Sequence, residues 1–586
     1  MKQKHWLASI PGRHTLTIIY IACQYAALLI LIACFKIAVI PPGPLSLAAN
    51  FISSSADALI ILSITLLLRY LWRPLAALPI LIVSLVIFAE IIYQRNFADC
   101  IPPGLFHLKG NMVNDFVIDG VIASFSFADL IWLLPLIFSI CIDCFCRRLK
   151  IGWHATACTV VSAVIFLTVS TLLGIRRSGI YAGSTSFAQS RAKYKEDWLY
   201  QTHWTHKVTN FGTTGYFAKV IHSMFAGNSV SVSPQQLDSL ISDLTSRSHR
   251  QLRARYLIPI PDNTDKNLIF IEVESLSSTL FSLPYADAVA PTLCRLVSDS
   301  TAIVCTDMEV IAGLGRSSDA QFTHNTGLLP VRSEITVNEF PVADYPSLAK
   351  SLPDSYISIE FICEGRELWS HALTTRSYGF DCLIDNLAPR GLDQDSILMN
   401  FAARHLTEIS QPFYAFISTI SSHDPYFDSN VSVPADVSSA IPDSLKLNDR
   451  NYLYRIAHFD RSLSRFLFDL HDKAILEKSI VIITGDHEPR RINISPLFHS
   501  SKVPFIVANA GAGIDCNGLN ATQADIFPTI LDIFHIQGHI NLAGRPTPWQ
   551  GYGKSLLRNL PRTTTHESDW QQSELIIRAH LCSDQN

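Results

Sequence analysis

The chain has 586 residues, too many for one ordinary domain, and 48% of them are hydrophobic while only 16% are charged. A mean hydropathy of +0.24 is typical of a membrane protein with a water-soluble part rather than of a purely soluble enzyme. The formal net charge of -4 argues against a strongly basic nucleic-acid-binding protein, so no nucleic acid partner is expected.

Five apolar runs before residue 176 are long enough to cross a hydrocarbon core of roughly 30 Å. They lie near Leu16–Ile37, Phe51–Leu68, Leu75–Ile92, Leu130–Cys146 and Ala155–Ile175. A cleaved signal peptide is the alternative for the first run, but it lacks a small-residue cleavage site, which favours a retained anchor. The sequence therefore predicts a five-span transmembrane domain over residues 1–176.

Basic residues set the expected orientation of these spans. They cluster before the first span and in the loops after the second and fourth: Lys2, Lys4, Arg13, Arg69, Arg73, Arg147, Arg148 and Lys150. The alternate loops offer only Lys36, Arg95 and Lys109. The positive-inside rule then places the N-terminus in the cytoplasm, and five spans place everything after Arg177 outside. The protein is therefore expected in a cell (inner) membrane, with its large soluble part periplasmic or extracellular.

The segment over residues 177–265 connects the spans to the rest of the chain. It is aromatic and basic to about Phe225, which favours helices lying on the membrane surface with their rings at headgroup level. An amphipathic helix packed on a soluble domain is the alternative. The polar, serine-rich stretch that follows is typical of a linker.

From Asn267 onward, short β-rich runs alternate with helical segments. The runs "NLIFIEVES", "FYAFIST", "SIVIITG" and "VPFIVAN" are nearly continuous in apolar residues, as buried parallel strands are. The pattern predicts an α/β domain over residues 266–558, with a doubly wound sheet between helices, and a polar peripheral tail over 559–586. Sites in such sheets form at the carboxyl ends of the strands.

Three of these strand ends carry residues that bind metals. Glu274 ends the first run, His423 follows the second in "SSHDPYF", and Asp486 and His487 follow the third in "GDHEPR". Two carboxylates and an imidazole at one sheet edge would form a mixed oxygen–nitrogen site for a divalent cation, although each motif alone could be a surface turn. Glu272 shares a strand face with Glu274 and competes for the ligand role, but Glu274 is nearer the strand end.

The stretch "GLGRSSDAQF" presents two adjacent serines. Ser318 begins an S-x-x-Q pattern with Gln321, which predicts the capping box of a helix. Ser317 stands one residue earlier, where helix N–H groups favour a phosphate and a bound cation would lower the pKa of its hydroxyl. Ser317 is therefore the candidate nucleophile, and the alternative is that both serines only cap the helix. No G-x-S-x-G motif surrounds it, which disfavours an α/β-hydrolase.

Taken together, these motifs resemble the lipoteichoic acid synthase and phosphoglycerol transferase family, membrane members of the alkaline phosphatase and sulfatase superfamily. In that family a threonine in G-x-G-K-T-S-D-A-E-F is the nucleophile; Ser317 occupies its position and Arg316 replaces the lysine. The family's L-E-S, G-D-H and S-x-H-x-P-F motifs match "VES", "GDH" and "SSHDPYF". The resemblance implies one divalent cation, manganese favoured over zinc or magnesium, with four ligands: Glu274, Ser317, Asp486 and His487. It implies four substrate-binding residues: Arg316, Trp369, His371 and His423.

One departure from the family concerns the donor headgroup. Members that use phosphatidylglycerol carry F-W-N-R, whereas this chain has "LWSH", so His371 stands where the family has an arginine. Histidine cannot offer the two-pronged donor of an arginine, and Arg366 or Arg376 could compensate.

The resemblance implies that a phospholipid headgroup, phosphoglycerol favoured, passes through phospho-Ser317 to a hydroxyl of an extracytoplasmic glycan or polymer. His423 would assist proton transfer or hold the phosphate. The alternatives are phosphoethanolamine transfer from phosphatidylethanolamine, a sulfatase-type hydrolase, and a catalytically dead glycan-binding membrane protein.

Six of the 13 cysteines lie in the part expected to be exported: Cys294, Cys305, Cys363, Cys382, Cys516 and Cys582. An even number in an oxidising compartment permits disulfides, and buried free thiols are the alternative.

Overall fold

The computed structural model describes residues 13–39, 44–97, 101, 125–181, 186–200, 208, 211–218, 221, 230–332, 334–387, 393–410, 412–424, 426, 435–489, 494–561 and 567–582. Lys2, Lys4 and Lys109, on which the expected orientation partly rests, lie outside these residues. The chain divides into two compact units, one of residues 1–103 with 120–226 and one of residues 104–119 with 227–586. The domain boundaries predicted from the sequence stay predictions.

The first unit contains long apolar helices. They are α1 (Arg13–Val39), α2 (Pro44–Leu71), α3 (Leu78–Phe97), α4 (Leu134–Phe145), α5 (Trp153–Tyr181) and α6 (Phe187–Tyr200). Short 3-10 segments at Arg73–Ala77 and Phe127–Leu133 precede α3 and α4. Five segments of the described chain are long and apolar enough to span a membrane: His14–Ala38, Ala48–Leu71, Arg73–Gln94, Phe127–Phe145 and Trp153–Ile180. The predicted number of candidate spans is confirmed.

A buried ion pair joins two of these helices to the segment that follows them. Lys36 of α1 donates to Asp57 of α2 at 2.8 Å, and both side chains are buried. The Asp57 carboxylate also accepts the backbone N–H groups of Thr213 at 2.8 Å and Thr214 at 3.1 Å, in the helix at 211–218. Charged groups among apolar helices are costly unless paired, so this network fixes the three elements to one another.

The second unit is built on an eight-stranded sheet with the order β4-β3-β5-β1-β6-β7-β2-β8. The strands are β1 (Asn267–Val273), β2 (Ile303–Glu309), β3 (Ile357–Phe361), β4 (Cys382–Ile384), β5 (Phe413–Ser418), β6 (Ser479–Gly485), β7 (Lys502–Ala508) and β8 (Ile514–Asp515). A separate antiparallel ribbon pairs β9 (Gly538–Leu542) with β10 (Arg545–Trp549).

The sheet is mixed rather than wholly parallel. The neighbours β4, β3, β5, β1 and β6 are parallel, whereas β7 runs antiparallel to both β6 and β2. The prediction that "VPFIVAN" is a parallel strand was therefore wrong. Strands covered on both faces have the same continuous apolar run in either direction, so the run itself gives no direction.

Helices cover both faces of the sheet, as the doubly wound prediction requires. The helices of this unit are α7 (Pro234–Arg253), α8 (Ala286–Val289), α9 (Pro291–Val297), α10 (Ser317–Thr326), α11 (Thr336–Glu339), α12 (Leu348–Ser351), α13 (His371–Ser377), α14 (Gln394–Thr407), α15 (Ala435–Ala440), α16 (Leu447–Asp472), α17 (Ile526–Ile533) and α18 (Glu567–Arg578). Helices α7, α10, α17 and α18 contribute to the core on one face. Helices α9, α14 and α16 contribute to the core on the other.

Two polar segments pack into this unit as helices. The stretch expected to be a linker contains α7, whose buried positions recur every three or four residues at Leu240, Leu244, Ser248 and Gln251. Two of these are polar, and Ser248 donates to the carbonyl of Pro548 at 2.8 Å. Because half of the buried positions are polar, the helical spacing of apolar residues is hard to recognise, and the sequence resembles a linker. In the expected tail, α18 likewise buries apolar side chains in the core.

The six cysteines of the second unit are free thiols, the alternative to the disulfides that their even number permitted. Four of them are buried: Cys305, Cys363, Cys516 and Cys582.

Candidate active site

Strand β1 delivers Glu274 to the edge at which the parallel strands end. The turn is made at Ser275, whose φ of 55° is unusual for a residue other than glycine. The Ser275 hydroxyl donates to Glu274 Oε1 at 2.6 Å, and the Glu274 backbone N–H donates to Thr419 Oγ1 at 3.0 Å. The first bond orients the buried Glu274 carboxylate, and the second ties its backbone to the segment after β5.

Asp486 and His487 follow β6, the strand next to β1. Asp486 Oδ1 accepts the N–H groups of Ser275 at 2.7 Å and His487 at 2.6 Å. A Cβ on the preceding Gly485 would lie 2.4 Å from the carbonyl oxygen of Leu276, so only glycine permits this approach of the two strand ends. Burial raises the pKa of Asp486 to about 7.

The imidazole of His487 turns its Nε2 towards this carboxylate cluster. Its Nδ1 lies 2.8 Å from the carbonyl oxygen of Glu488 and 3.2 Å from Arg316 Nη2. Its Nε2 lies 3.6 Å from Glu274 Oε1 and 3.4 Å from Asp486 Oδ2. Arg316 Nη2 donates to the same Glu488 carbonyl at 3.0 Å. Arg316 is thereby held beside the cluster.

Ser317 is the first residue of α10, and it is half-buried. Its Oγ lies 3.1 Å from Glu274 Oε2 and 3.1 Å from His487 Nε2. The residue before it, Arg316, has a φ of 46°. Such a backbone is costly for a residue with a Cβ and persists where the surrounding structure holds it. The nucleophile candidate thus sits at a helix N-terminus, after a strained residue and against the cluster.

The predicted capping box at Ser318 was wrong. Ser318 is the second residue of α10, and its buried hydroxyl donates to the carbonyl of Gly315 at 3.0 Å. Gln321 donates instead to Ser418 Oγ at 3.1 Å. Asp319 Oδ2 accepts the Gly315 N–H at 2.8 Å, and this carboxylate secures the turn before the helix. In a capping box the serine is the N-cap residue, just before the helix, whereas α10 already begins at Ser317.

These side chains fit a divalent cation. One ligand atom from each of Glu274, Asp486 and His487 lies within 4.8 Å of the other two, and all three residues are buried. In the described part of the chain no other such group of three occurs. Two buried carboxylates so close together favour a cation between them, and each is held by further hydrogen bonds, as metal ligands are. Glu272 is outside the group, because it bonds to His324 Nδ1 at 2.5 Å.

His423 lies on the loop after β5, beside this group but not part of it. The Ser422 hydroxyl donates to the carbonyl of Glu274 at 2.5 Å and ties the loop to the end of β1. Asp395 Oδ1 accepts the N–H groups of Ile420 at 2.8 Å and Ser421 at 3.1 Å. The half-buried imidazole of His423 therefore lies on a loop that hydrogen bonds tie to the end of β1 and to the start of α14.

Trp369 and His371 lie beyond β3, another of the parallel strands that end at this edge. Trp369 and Ser370 both have positive φ, of 50° and 58°, and the indole packs against the core. His371 is buried, and its Nδ1 lies 3.0 Å from Glu360 Oε1. Of the residues that could replace the family's arginine, only His371 is buried; Arg366 and Arg376 are both exposed.

Sequence reasoning missed the residues that support Glu274 and Asp486. Thr419 and Ser422 bind the main chain of Glu274, and Gln523 donates to the carbonyls of Gly485 at 3.1 Å and Asp486 at 2.7 Å. Each is a common polar residue far along the chain from its partner, so no local pattern marks it.

Comparisons with known proteins give matches by sequence and by structure. Residues 354–536 match the Sulfatase family. Lipoteichoic acid synthase 2 of Bacillus subtilis (strain 168) is 24% identical over 332 residues, covering 50% of this chain and 49% of that protein. The chain thus spans about half the length of the curated relatives it matches.

Solved structures give weaker likenesses. The lipoteichoic acid synthase LtaP from Listeria monocytogenes aligns with a TM-score of 0.41 and 18% identity, over 58% of this chain and 100% of that one. The Streptococcus pyogenes phosphoglycerol transferase GacH, in complex with sn-glycerol-1-phosphate, aligns with a TM-score of 0.40 and 13% identity, over 60% and 94%. The sequence matches confirm the resemblance read from the motifs: residues 354–536 match the Sulfatase family, and the curated relatives include lipoteichoic acid synthases.

Proposed function

We propose that this chain is a membrane-bound transferase that moves a phosphoglycerol group from phosphatidylglycerol, through phospho-Ser317, to a hydroxyl of an extracytoplasmic glycan or polymer. The strongest support is the position of Ser317 Oγ, 3.1 Å from both Glu274 Oε2 and His487 Nε2. The names of the sequence relatives, lipoteichoic acid synthases, favour phosphoglycerol as the group transferred.

A cation held by Glu274, Ser317, Asp486 and His487 would lower the pKa of the serine hydroxyl and offset phosphate charge. Manganese is favoured, with zinc and magnesium as alternatives, since all three accept carboxylate and imidazole ligands. The N-terminus of α10 and the guanidinium of Arg316 would hold the phosphate oxygens.

The reaction has two balanced halves. Ser317 Oγ attacks the phosphorus, the bond from phosphorus to the diacylglycerol oxygen breaks, and the serine proton ends on that oxygen. The acceptor hydroxyl then attacks phospho-Ser317, the bond to Oγ breaks, and the acceptor proton returns to Oγ. His423 relays the proton in both halves, as acid and then as base. The five apolar helices suit this reaction, because donor and diacylglycerol both stay in a bilayer.

Mass spectrometry of the trapped enzyme tests the proposal. After incubation with phosphatidylglycerol and rapid acid quenching, the peptide that contains Ser317 should gain the mass of one glycerophosphoryl group. The same experiment with phosphatidylethanolamine tests the other donor, whose adduct has a different mass. Ser317→Ala protein is the control and should gain neither. Absence of both adducts from active wild-type protein would contradict a covalent serine intermediate.

Metal analysis separates an active site from a dead one. The purified protein should contain one divalent cation per chain, and Asp486→Asn should lower that content. A wild-type chain without a stoichiometric cation would favour the glycan-binding alternative.

A further inference from the structure

An apolar groove of 360 Å³ lies between α2 and α5 in the helical unit. Seven side chains line it: Leu67, Tyr70, Trp153, Thr156, Ala157, Val160 and Val161. Thr156 and Ala157 are half-buried and the other five are exposed, so the short side chains of these two residues form its floor. Both helices belong to candidate spans, so the groove would open to hydrocarbon rather than to water.

The groove has the length of the upper part of one acyl chain. It extends along α5 from Trp153 to Val161, which is about 12 Å at the rise of an α-helix. That is less than half of a hydrocarbon core of roughly 30 Å, so the groove lies within one leaflet. An apolar void gives water few partners and costs its lining dispersion contacts, so in a bilayer a hydrocarbon chain fills it.

The groove begins at the ends of both helices. Tyr70 lies in the last turn of α2, and Trp153 is the first residue of α5. Tryptophan and tyrosine are enriched where a membrane meets water, because their rings are apolar and their N–H or O–H groups reach polar headgroups. The mouth of the groove is therefore at headgroup level, and the end at Val160 and Val161 lies deeper in the bilayer.

Two arginines stand beside this mouth. Arg147 and Arg148 lie in the connection between α4 and α5, and both are exposed. Neither side chain has an ion-pair partner in the described part of the chain. Arg69, near the end of α2, donates to the carbonyls of Cys146 at 2.8 Å and Leu149 at 3.3 Å. These bonds hold the connection, and with it both arginines, against the end of α2.

We propose that this groove binds an anionic phospholipid, with one acyl chain between α2 and α5 and the phosphate against Arg147 and Arg148. The planar guanidinium group matches a phosphate with two parallel hydrogen bonds, and basic pockets between spans suit anionic headgroups. A zwitterionic lipid fits the groove equally well but carries an ammonium group that the arginines repel. A helix of a second copy would cover the groove and leave the two arginines without a counter-charge.

This lipid is not the donor of the proposed reaction. Helix α5 runs from Trp153 to Tyr181, about 40 Å, so its two ends face opposite sides of a bilayer. The groove opens at the first end and the chain continues from the second. No candidate span follows α5 in the described part of the chain, so the lipid belongs to the leaflet away from Ser317. The inference therefore goes beyond the proposed function and does not depend on it.

Fluorescence quenching by brominated lipids tests the groove. The full-length protein is reconstituted into phosphatidylcholine bilayers that contain increasing fractions of phosphatidic acid or phosphatidylcholine brominated near the top of the acyl chains. Phosphatidic acid is the anionic probe because it has no glycerol or ethanolamine headgroup. The contribution of Trp153 is the difference between each protein and the same protein with Trp153→Phe. Half-maximal quenching should need a roughly twentyfold lower fraction of phosphatidic acid, since each arginine is worth about fivefold in anionic lipid binding.

Two pairs of variants separate the headgroup contact from the chain contact. Arg147→Gln combined with Arg148→Gln should remove the preference for phosphatidic acid. Arg176→Gln is its control, an exposed arginine near the other end of α5, and should keep the preference. Val160→Phe should weaken the preference by filling the groove, whereas Val169→Phe makes the same change at an exposed position of α5 outside the groove and should have no effect.

Three results would overturn the proposal. Equal half-maximal fractions of the two lipids in the wild-type protein would show that the groove does not select an anionic lipid. An unchanged preference in both the double arginine variant and Val160→Phe would place the anionic lipid elsewhere. No quenching of Trp153 by either lipid would mean that a second copy or another protein covers the groove. None of these results affects the adduct at Ser317, whose absence would contradict only the proposed function.

Discussion

The two adjacent serines differ in a way that substitution can separate. Ser317→Ala should abolish transfer with little loss of stability, because it removes only a half-buried hydroxyl at the ligand group. Ser318→Ala should keep most activity but lower the free energy of unfolding by about 1 kcal/mol, the value of one buried hydrogen bond. Turnover and denaturant unfolding of both variants check this. Loss of turnover in Ser318→Ala alone would reverse the two roles.

At this scale the sequence predicts which carboxylates meet better than it predicts the residues that support them. Glu274 and Asp486 each directly follow a buried apolar run, so their meeting at one edge follows from the parallel order of β1 and β6. The contact of Glu274 with Thr419 joins residues 145 positions apart, and a threonine carries no motif. The Glu360–His371 pair is equally hidden, because Glu360 lies within an otherwise unremarkable strand.

The loop that carries His423 depends on one carboxylate at the start of α14. Asp395→Ala would leave the buried N–H groups of Ile420 and Ser421 without an acceptor. We expect the free energy of unfolding to fall by about 2–3 kcal/mol and turnover to fall with it, because the His423 loop loses its anchor. Thermal unfolding and donor turnover measure the two effects. Full turnover in a destabilised variant would exclude the loop from catalysis.

The same carboxylate gives a pH dependence. Burial raises the pKa of Asp395 to about 6 from an ordinary 3.8, so between these values the native state holds a proton that the unfolded state has lost. Its contribution to the free energy of unfolding therefore decreases as the pH rises from about 4 to about 6, by about 3 kcal/mol in total. Asp395→Asn should remove that slope. Unfolding curves of both proteins at several pH values test this, and identical slopes would contradict it.

The ion pair inside the helical unit should be costly to break. Asp57→Ala leaves Lys36 buried without a counter-charge and removes the acceptor for the N–H groups of Thr213 and Thr214. We expect a loss of about 3–5 kcal/mol. The double variant Lys36→Met with Asp57→Leu should recover part of it. Thermal unfolding in detergent micelles gives the comparison, with Ser63→Ala, which only loses a bond within α2, as the control. A double variant no better than the single one would refute the charge argument.

At the scale of elements, the sequence predicts the helices and strands that consist of an uninterrupted run of apolar residues. The five candidate spans and the strands β1, β5, β6 and β7 are such runs. Strands β4 and β8 have three and two residues, too short for a period, and β2 contains Thr306 and Asp307 within its apolar run. In α7 the buried face includes a serine and a glutamine that bond to carbonyls, so its hydrophobic pattern is faint.

The whole chain should cross the membrane five times with its N-terminus inside. The segments after the second and fourth spans contact each other. Arg73, after α2, bonds to Asp143 of α4 at 3.0 Å, and Arg69 of α2 donates to the carbonyl of Cys146 at 2.8 Å. The loops after the second and fourth spans are therefore at one end of the unit, the end that the positive-inside rule assigns to the cytoplasm.

Reporter fusions test that assignment. A fluorescent protein that folds only in the cytoplasm should be bright when fused after Arg148, and a phosphatase that matures only outside should be active when fused after Val230. Only α5 separates the two points among the candidate spans, so they must report opposite sides if α5 crosses the membrane. The reversed pattern would place Ser317 in the cytosol, away from an extracytoplasmic acceptor. The same side for both fusions would mean that α5 does not span the bilayer.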